Sequence, residues 1–173
     1  AYRELIAALR DPASVDRPRL GNLLKLVLAA GGDIHLLAPL CALTEAALRT
    51  GLPELCAECE RPLQRAEANG VVLTAGWVQS IPRLLAGCAA VAGRSDEAEL
   101  AYERSIAASR SGPAPVELAL ALVEIARLRA GRGADDDAAR ARSDLGEALA
   151  IARELELQPL AREAQGLAES LPL

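Results

Sequence analysis

The sequence is poor in several residue types, and each scarcity excludes a class of protein. It has no methionine, no phenylalanine, one tryptophan and two tyrosines, so that aromatic residues make up 2% of its 173 positions. Strands favour aromatic and β-branched side chains, and this composition therefore argues against an all-β or parallel-sheet protein. No uninterrupted apolar run approaches the roughly 20 residues of a membrane-spanning helix, so we expect no membrane segment.

Basic residues are used unevenly. Lys25 is the single lysine beside 18 arginines, and the net charge is −5. A negative chain without a block of basic residues is a poor general nucleic-acid surface, so we expect no direct nucleic-acid contact. Because the start of the chain lacks a signal-peptide pattern, its four cysteines predict a reduced, cytoplasmic setting. The missing initiator methionine leads us to expect a fragment of a longer polypeptide.

Alanine and leucine dominate what is present. They contribute 37 and 31 residues, and both are strong helix formers. Apolar residues recur near the 3.6-residue period of a helix along almost the whole chain. These features predict an all-α fold of about nine helices. The predicted helices span residues 2–10, 18–30, 34–50, 52–68, 77–92, 95–110, 115–131, 135–154 and 158–171.

The breaks between helices carry turn signals. Gly93 is suited to the left-handed position that ends a helix. The segment 69–76 begins with an Asn-Gly pair and continues with β-branched residues, which predicts a loop that can include extended backbone. No long linker is present, so we predict one domain over 1–173. Its parts are degenerate hairpins over 1–68, the loop over 69–76, two clearer repeats over 77–154 and a capping helix over 155–173.

Two helices of the back half predict different packing. In the helix over 135–154, apolar residues recur on one face, among them Ala141, Leu145 and Ala148. In the helix over 115–131 they surround the axis nearly completely, so this helix is predicted to be covered on more than one side. An inner helix flanked by outer ones is what stacked helical hairpins produce.

The back half also contains a repeated pattern. The pattern begins with a large and a small residue, Leu85 and Ala86, and continues with a turn at Gly93. A small, large, small set then follows at Ala98, Tyr102 and Ser105. A second copy of the small, large, small set is Ala141, Leu145 and Ala148, and a weaker third is Cys59, Leu63 and Ala66. Over roughly residues 82–154 this pattern resembles the tetratricopeptide repeat. The resemblance implies a right-handed α-solenoid of stacked hairpins with a concave groove.

A second resemblance concerns the amino-acid sequence of the back half. The stretches GRSDEAELAYERSIAASR and LALALVEIARLRAGRG are similar to the C-terminal helical region of large bacterial signalling ATPases. That group includes maltose-regulator-type transcriptional regulators and ATPase-linked nucleotide cyclases. The resemblance implies a regulatory or sensing segment, with the ATPase, cyclase or DNA-binding parts elsewhere. No phosphate-binding Gly-x-x-x-x-Gly-Lys-Ser/Thr stretch occurs in this sequence.

Three groups of reactive residues favour a structural interpretation over a chemical one. Cys56 and Cys59 form a C-x-x-C sequence without a preceding strand or a second ligand pair, so buried core positions are favoured. His35 has no nucleophile placed beside it by spacing and is predicted to begin a helix. The aspartates at 135–137 do not converge on one point and predict a solvated, capping helix start. We therefore predict no metal, cofactor or catalytic residue.

Trp77, Arg83 and Arg127 are the predicted binding residues. Alignment to the resembled repeat puts Arg83 and Arg127 on groove positions of successive repeats. A guanidinium fork on such a surface can clamp a carboxylate, and the only tryptophan can anchor a partner. The alternatives are a core role for Trp77 and solvated arginines.

Two functions remain open at this stage. The chain can be a non-catalytic interaction or regulatory module that binds a peptide, another domain of its own polypeptide or a second copy. It can also be a sensor that holds a small effector and is coupled to an ATPase outside this chain. An open, arginine-bearing channel would favour the peptide, and a closed apolar pocket near Trp77 and residues 71–73 would favour the small molecule. An independent enzyme has least support, because no acid–base pair or nucleophile constellation is present.

Overall fold

The computed structural model describes residues 1–30, 34–74, 78–133 and 136–171. Over these residues the chain is all-α, as composition and periodicity predict. Nine α-helices lie in the described ranges: α1 Tyr2–Arg10, α2 Arg17–Ala29, α3 Leu37–Arg49, α4 Pro53–Ala68, α5 Ile81–Val91, α6 Ser95–Ser111, α7 Pro115–Arg132, α8 Asp137–Glu154 and α9 Gln158–Ser170. Short 3-10 turns at Pro12–Ser14 and Ile34–Leu36 precede α2 and α3.

The predicted helix bounds agree with the observed ones within a few residues, except at the start of α5. Periodicity predicts a helix from residue 77, whereas α5 begins at Ile81. Leu73 and Ser80 form an isolated antiparallel bridge, and Ile81 donates its backbone N–H to Val72 at 2.9 Å. The Ser80 side chain then caps the helix by accepting a backbone N–H. Hydrogen bonds of the loop therefore delay the helix by one turn.

The glycine turn after α5 forms as predicted. Gly93 has a left-handed φ of +77°. The N–H of Arg94 bonds to Ala89 O at 2.9 Å, and the N–H of Gly93 bonds to Ala90 O at 3.0 Å. This pair of bonds is the Schellman arrangement that ends a helix and satisfies its last carbonyls.

The chain divides into two compact units, and the first, Ala1–Ala98, is organised around α3. This helix contacts α1, α2, α4 and α5. All residues from Leu40 to Ala47 are buried as a result, including Thr44 and Glu45. The Thr44 hydroxyl donates to Leu40 O at 2.9 Å, which satisfies it inside the core. The main apolar core takes side chains from α2, α3, α4 and α5, among them Leu24, Leu43, Leu63 and Leu84.

The second unit, Glu99–Leu173, is organised around α7 and α8. These two helices pack against each other, and both contact α9. Buried residues surround α7, as its sequence predicts. The predicted apolar face of α8 is also confirmed, because Ala141, Leu145, Ala148 and Ala152 are all buried.

The small, large, small positions of the two clearer repeats are buried. Ala98, Tyr102 and Ser105 of α6 are at most 4% exposed. Small residues at such positions allow helices to approach closely, and the large one fills the remaining space. The packing thus fits the role that the pattern assigns to these residues, while the relation to tetratricopeptide repeats stays a prediction.

The division between the units falls inside α6, between Ala98 and Glu99, and not in the loop over 69–76. Each unit is a set of consecutive helices packed on one another. Across the described residues, no helix combines the length and the apolar content that crossing a membrane requires.

Candidate functional site

A cleft of about 350 Å³ lies in the second unit between α6 and α8, with α7 beneath it. We call it the α6–α8 cleft. Its floor is apolar and is formed by Ile106, Leu122 and Ile125, which are buried. The exposed Ala107 lies beside this floor on α6. The cleft therefore offers a small apolar surface that is open to solvent.

Charged and polar side chains form the rim of the cleft. Glu103 and Arg110 lie on α6, whereas Arg140 and Ser143 lie on α8, and all four are exposed. Arg110 pairs with Glu147 at 2.5 Å. The contacts of Arg140 are long, at 3.4 Å to Glu99 and 3.5 Å to Glu103. Arg140 is the more loosely held of these two rim arginines.

Arg129 of α7 lines the cleft and connects α7 to α6 and α8 through ion pairs. Its side chain is 5% exposed. Nε and Nη2 each lie 2.8 Å from Glu99 of α6, and Nη2 lies 3.3 Å from Glu103. Nη1 donates to Asp144 of α8. A guanidinium this buried needs several acceptors, and the three carboxylates provide them.

The two carboxylates nearest Arg129 differ in their proton affinity. Burial alone would raise the pKa of Glu99, but hydrogen bonds from Arg129 and Arg132 outweigh it, so the pKa lies below its ordinary value. Burial raises the pKa of Asp144, and the charge of Arg129 offsets this only in part. Burial thus disfavours the charged form of Asp144, whereas the arginines favour that of Glu99.

Arg132 extends the same network to the start of α8. It lies 2.7 Å from Glu99 and contacts both oxygens of Asp137, at 2.8 and 2.9 Å. Asp137 is 3% exposed. The sequence predicted a solvated helix start at 135–137, and for Asp137 this is wrong, because Arg132 comes from the preceding helix to pair with it. Asp135 lies outside the described residues.

Arg83, a predicted groove residue, is enclosed in the first unit. It is 1% exposed, and its Nη2 lies 2.7 Å from Glu45 of α3. Glu45 also pairs with Arg49 at 2.9 Å. Burial would raise the pKa of Glu45, but both arginines hold it below the ordinary value. Arg83 is thus enclosed and paired with a carboxylate of its own unit, and its groove role stays a prediction.

Arg127, the second predicted arginine, lies at the surface of the second unit. It is about half exposed, and its Nη2 lies 2.5 Å from Glu163 of α9. It is two residues from Arg129 but does not line the α6–α8 cleft. Trp77, the predicted aromatic anchor, lies outside the described residues. Its binding role and that of Arg127 remain predictions.

The cysteines and the histidine occupy the positions that the structural interpretation favoured. Cys56 and Cys59 are at most 1% exposed, in keeping with core residues. His35 lies in the 3-10 turn before α3 and is exposed. Within the described residues, no three side chains of histidine, cysteine, aspartate or glutamate are grouped so as to hold a metal ion.

Sequence reasoning did not identify the network around Arg129. A usable signal was nevertheless present in the spacing of charges. Glu99 and Glu103 are four residues apart on α6, and Arg129 and Arg132 are three apart on α7. Each pair therefore lies on one helix face. An acidic pair on one helix and a basic pair on its neighbour indicate a cross-helix ion-pair network.

Comparisons with known proteins give no relative for this chain. No protein-family model matches it, and no curated protein or solved structure matches it significantly.

Proposed function

We propose that the chain is a non-catalytic interaction module that binds a peptide segment of a partner protein, or of another domain of its own polypeptide, in the α6–α8 cleft. The observation that carries this proposal is the pairing of a small apolar floor with an exposed, charged rim. Protein recognition commonly uses one apolar anchor surrounded by polar contacts. The floor at Ile106 takes the anchor, and the rim contacts the flanking backbone and side chains.

The exposed lining of the cleft favours a peptide anchor over a small effector. Sites for small molecules are usually enclosed and have volumes of about 300–1,000 Å³. The α6–α8 cleft, at about 350 Å³, is at the low end of that range, and its lining includes the exposed Ala107, Arg110 and Arg140. An open, arginine-bearing surface was the feature expected to favour a peptide. A small-molecule effector is the second candidate function, because 350 Å³ can still hold a compact metabolite.

The charges of the rim favour a partner with carboxylates beside its anchor. Arg110 and Arg140 lie on opposite sides of the cleft, each about half exposed. Because the contacts of Arg140 are at least 3.4 Å long, an incoming carboxylate can replace them with a shorter, two-pronged contact at little cost. We therefore propose a peptide with one large apolar residue flanked by aspartate or glutamate.

The wider role that we propose is regulatory. The amino-acid sequence of the back half is similar to helical regions of bacterial signalling ATPases and transcriptional regulators. Such regions serve as interaction or sensing segments. The proposed setting is the cytoplasm, since the four cysteines of the described chain are all free thiols and reduced thiols persist there.

The test is a selection of phage-displayed random peptides on the 173-residue chain, followed by affinity measurement on synthetic peptides. Ala107→Glu places a carboxylate beside the cleft floor, and Ala150→Glu makes the same change at an exposed position of α8 outside the cleft. We expect selected peptides to carry an apolar residue with acidic neighbours. Ala107→Glu should weaken their binding about tenfold or more, an energy of about 1.4 kcal/mol, and Ala150→Glu should not.

The same variants separate the two candidate functions. If no peptide is selected and a compact metabolite from a panel raises the melting temperature, the ligand of the cleft is a small effector. This conclusion requires that Ala107→Glu abolishes the rise in melting temperature. Peptides that bind equally well to both variants would refute the α6–α8 cleft as the binding site.

A further inference from the structure

Two thiols from neighbouring helices lie together inside the first unit. Cys56 is the fourth residue of α4 and Cys88 lies in α5, and each is 1% exposed. With Ala47 of α3 they form a separate buried cluster, bounded by Leu48 and Leu55. The helices α4 and α5 pack directly against each other. The fold thus joins two thiols that are far apart in the sequence.

The two thiols are linked by a hydrogen bond that makes them unequal. Cys88 donates to the sulfur of Cys56, and this bond lowers the pKa of Cys56 in spite of burial and the nearby carboxylate of Glu60. The same bond, followed by burial, raises the pKa of Cys88. Because Cys56 also lies at the positive N-terminal end of α4, it is the attacking thiol of the pair, and Cys88 is its resolving partner.

The other two cysteines have different surroundings. Cys41 and Cys59 belong to the main apolar core of the unit. Burial raises the pKa of Cys59 to about 12. Cys59 also lies outside the buried cluster that Cys56 and Cys88 share, and a thiol with this pKa is almost entirely protonated at neutral pH. The C-x-x-C spacing of Cys56 and Cys59 is thus not the reactive pair.

We propose that Cys56 and Cys88 form a dithiol site that a small hydroperoxide oxidises to an intramolecular disulfide. The Cys56 thiolate attacks a peroxide oxygen, the O–O bond breaks, and hydroxide leaves, which yields a sulfenic acid at Cys56. The Cys88 sulfur then attacks the Cys56 sulfur, the S–O bond breaks, and the oxygen leaves as water with the thiol proton. Two thiols are oxidised by two electrons in total, and one hydrogen peroxide is reduced to two waters.

The location of Cys56 gives a small oxidant a route to it. Its backbone N–H bonds to Leu52 O at the start of α4, and the neighbouring Glu54 and Ala57 are exposed. Terminal turns of helices open at lower free energy than central ones. Hydrogen peroxide is close to water in size, so a brief opening of this turn admits it. A positive partial charge at a helix N-terminus also favours the thiolate.

The test is oxidation of the folded 173-residue chain by hydrogen peroxide, followed by intact mass and a non-reducing tryptic digest. Because the sequence has no methionine, methionine oxidation does not obscure the mass change. We expect the loss of two hydrogens, and a cross-link between peptides 50–65 and 84–94 that fragments to Cys56–Cys88. A dithiol reductant should restore the mass. The pair should react about tenfold faster than Cys41 or Cys59.

Matched variants and an unfolded control decide the outcome. Cys56→Ser or Cys88→Ser should abolish the cross-link, whereas Cys41→Ser and Cys59→Ser should retain it. Mapping on the wild-type chain does not depend on whether any variant folds. A Cys56–Cys59 link, or gain of oxygens without a cross-link, would overturn the proposal. So would a reaction that occurs only in urea, since the juxtaposition would then play no part.

Discussion

Loss of the Arg129 guanidinium should destabilise the second unit strongly, and the change Arg129→Met tests this. Methionine keeps most of the apolar stem of arginine, so the change removes chiefly the charge and its hydrogen bonds. Glu99 and Asp144 are 13% and 19% exposed, and both would be left without their main cation. Loss of one partner from a buried ion pair costs about 3–5 kcal/mol.

The expected cost lies at the low end of that range. Glu99 keeps Arg132 at 2.7 Å, and Glu103 is about half exposed, so water compensates part of the loss. We therefore expect about 3 kcal/mol, which lowers the melting temperature of a chain of this size by about 6–12 °C. The matched control is Arg127→Met in the same helix. Its pair with Glu163 is exposed on both sides, and such pairs contribute about 0–1 kcal/mol.

Urea unfolding followed by far-UV circular dichroism measures both variants. A difference of less than about 1 kcal/mol between Arg129→Met and Arg127→Met would refute the assignment of a buried network, given errors of 10–15% in extrapolated values. Adding Asp144→Asn to Arg129→Met should recover part of the loss, because burial already disfavours the charged form of Asp144. No recovery would show that the stability lost lies in packing and not in charge.

Two further predictions concern the first unit and α8. A Cβ at Gly87 would lie 2.7 Å from Leu48 Cδ1, so Gly87→Ala should destabilise by about 1 kcal/mol although alanine favours helices. A Cβ at Gly146 meets no atom within 4 Å, so Gly146→Ala should stabilise by about 0.5–1 kcal/mol. Melting temperatures of both variants equal to that of the wild-type chain would contradict these two predictions. Because the pKa of Glu45 is lowered in the fold, its contribution is complete above its unfolded pKa and is lost as pH falls through the folded value. Glu45→Gln should therefore flatten the acid side of a stability–pH curve, and an unchanged slope would contradict this.

Much of the secondary structure could be predicted because its causes are local. Alanine and leucine at a 3.6-residue period, with turns such as Gly93, place most helix ends within a few residues. The start of α5 could not be placed in this way, since the bridge between Leu73 and Ser80 overrides the helical preference there. The solvated position predicted for Asp137 was wrong for the same kind of reason, because its partner is Arg132 of another helix.

The candidate sites show where prediction from sequence ends. The apolar pattern of α7 determined that this helix lies inside its unit, since a helix that is apolar all round must be covered. It did not determine which arginine would be enclosed. Arg127 and Arg129 are two residues apart and so point to different sides of one helix, and their exposure, 51% against 5%, depends on where α6 and α8 lie.

Local sequence patterns therefore predict an all-α chain, the extent of its helices and the faces that they bury, because these follow from interactions over a few residues. Packing between helices selects which thiols meet and which charges pair. Cys56 shares a buried cluster with Cys88 because α4 packs against α5, whereas the nearby Cys59 belongs to the main apolar core. Contacts between helices distant in sequence depend on packing geometry, which periodicity does not encode.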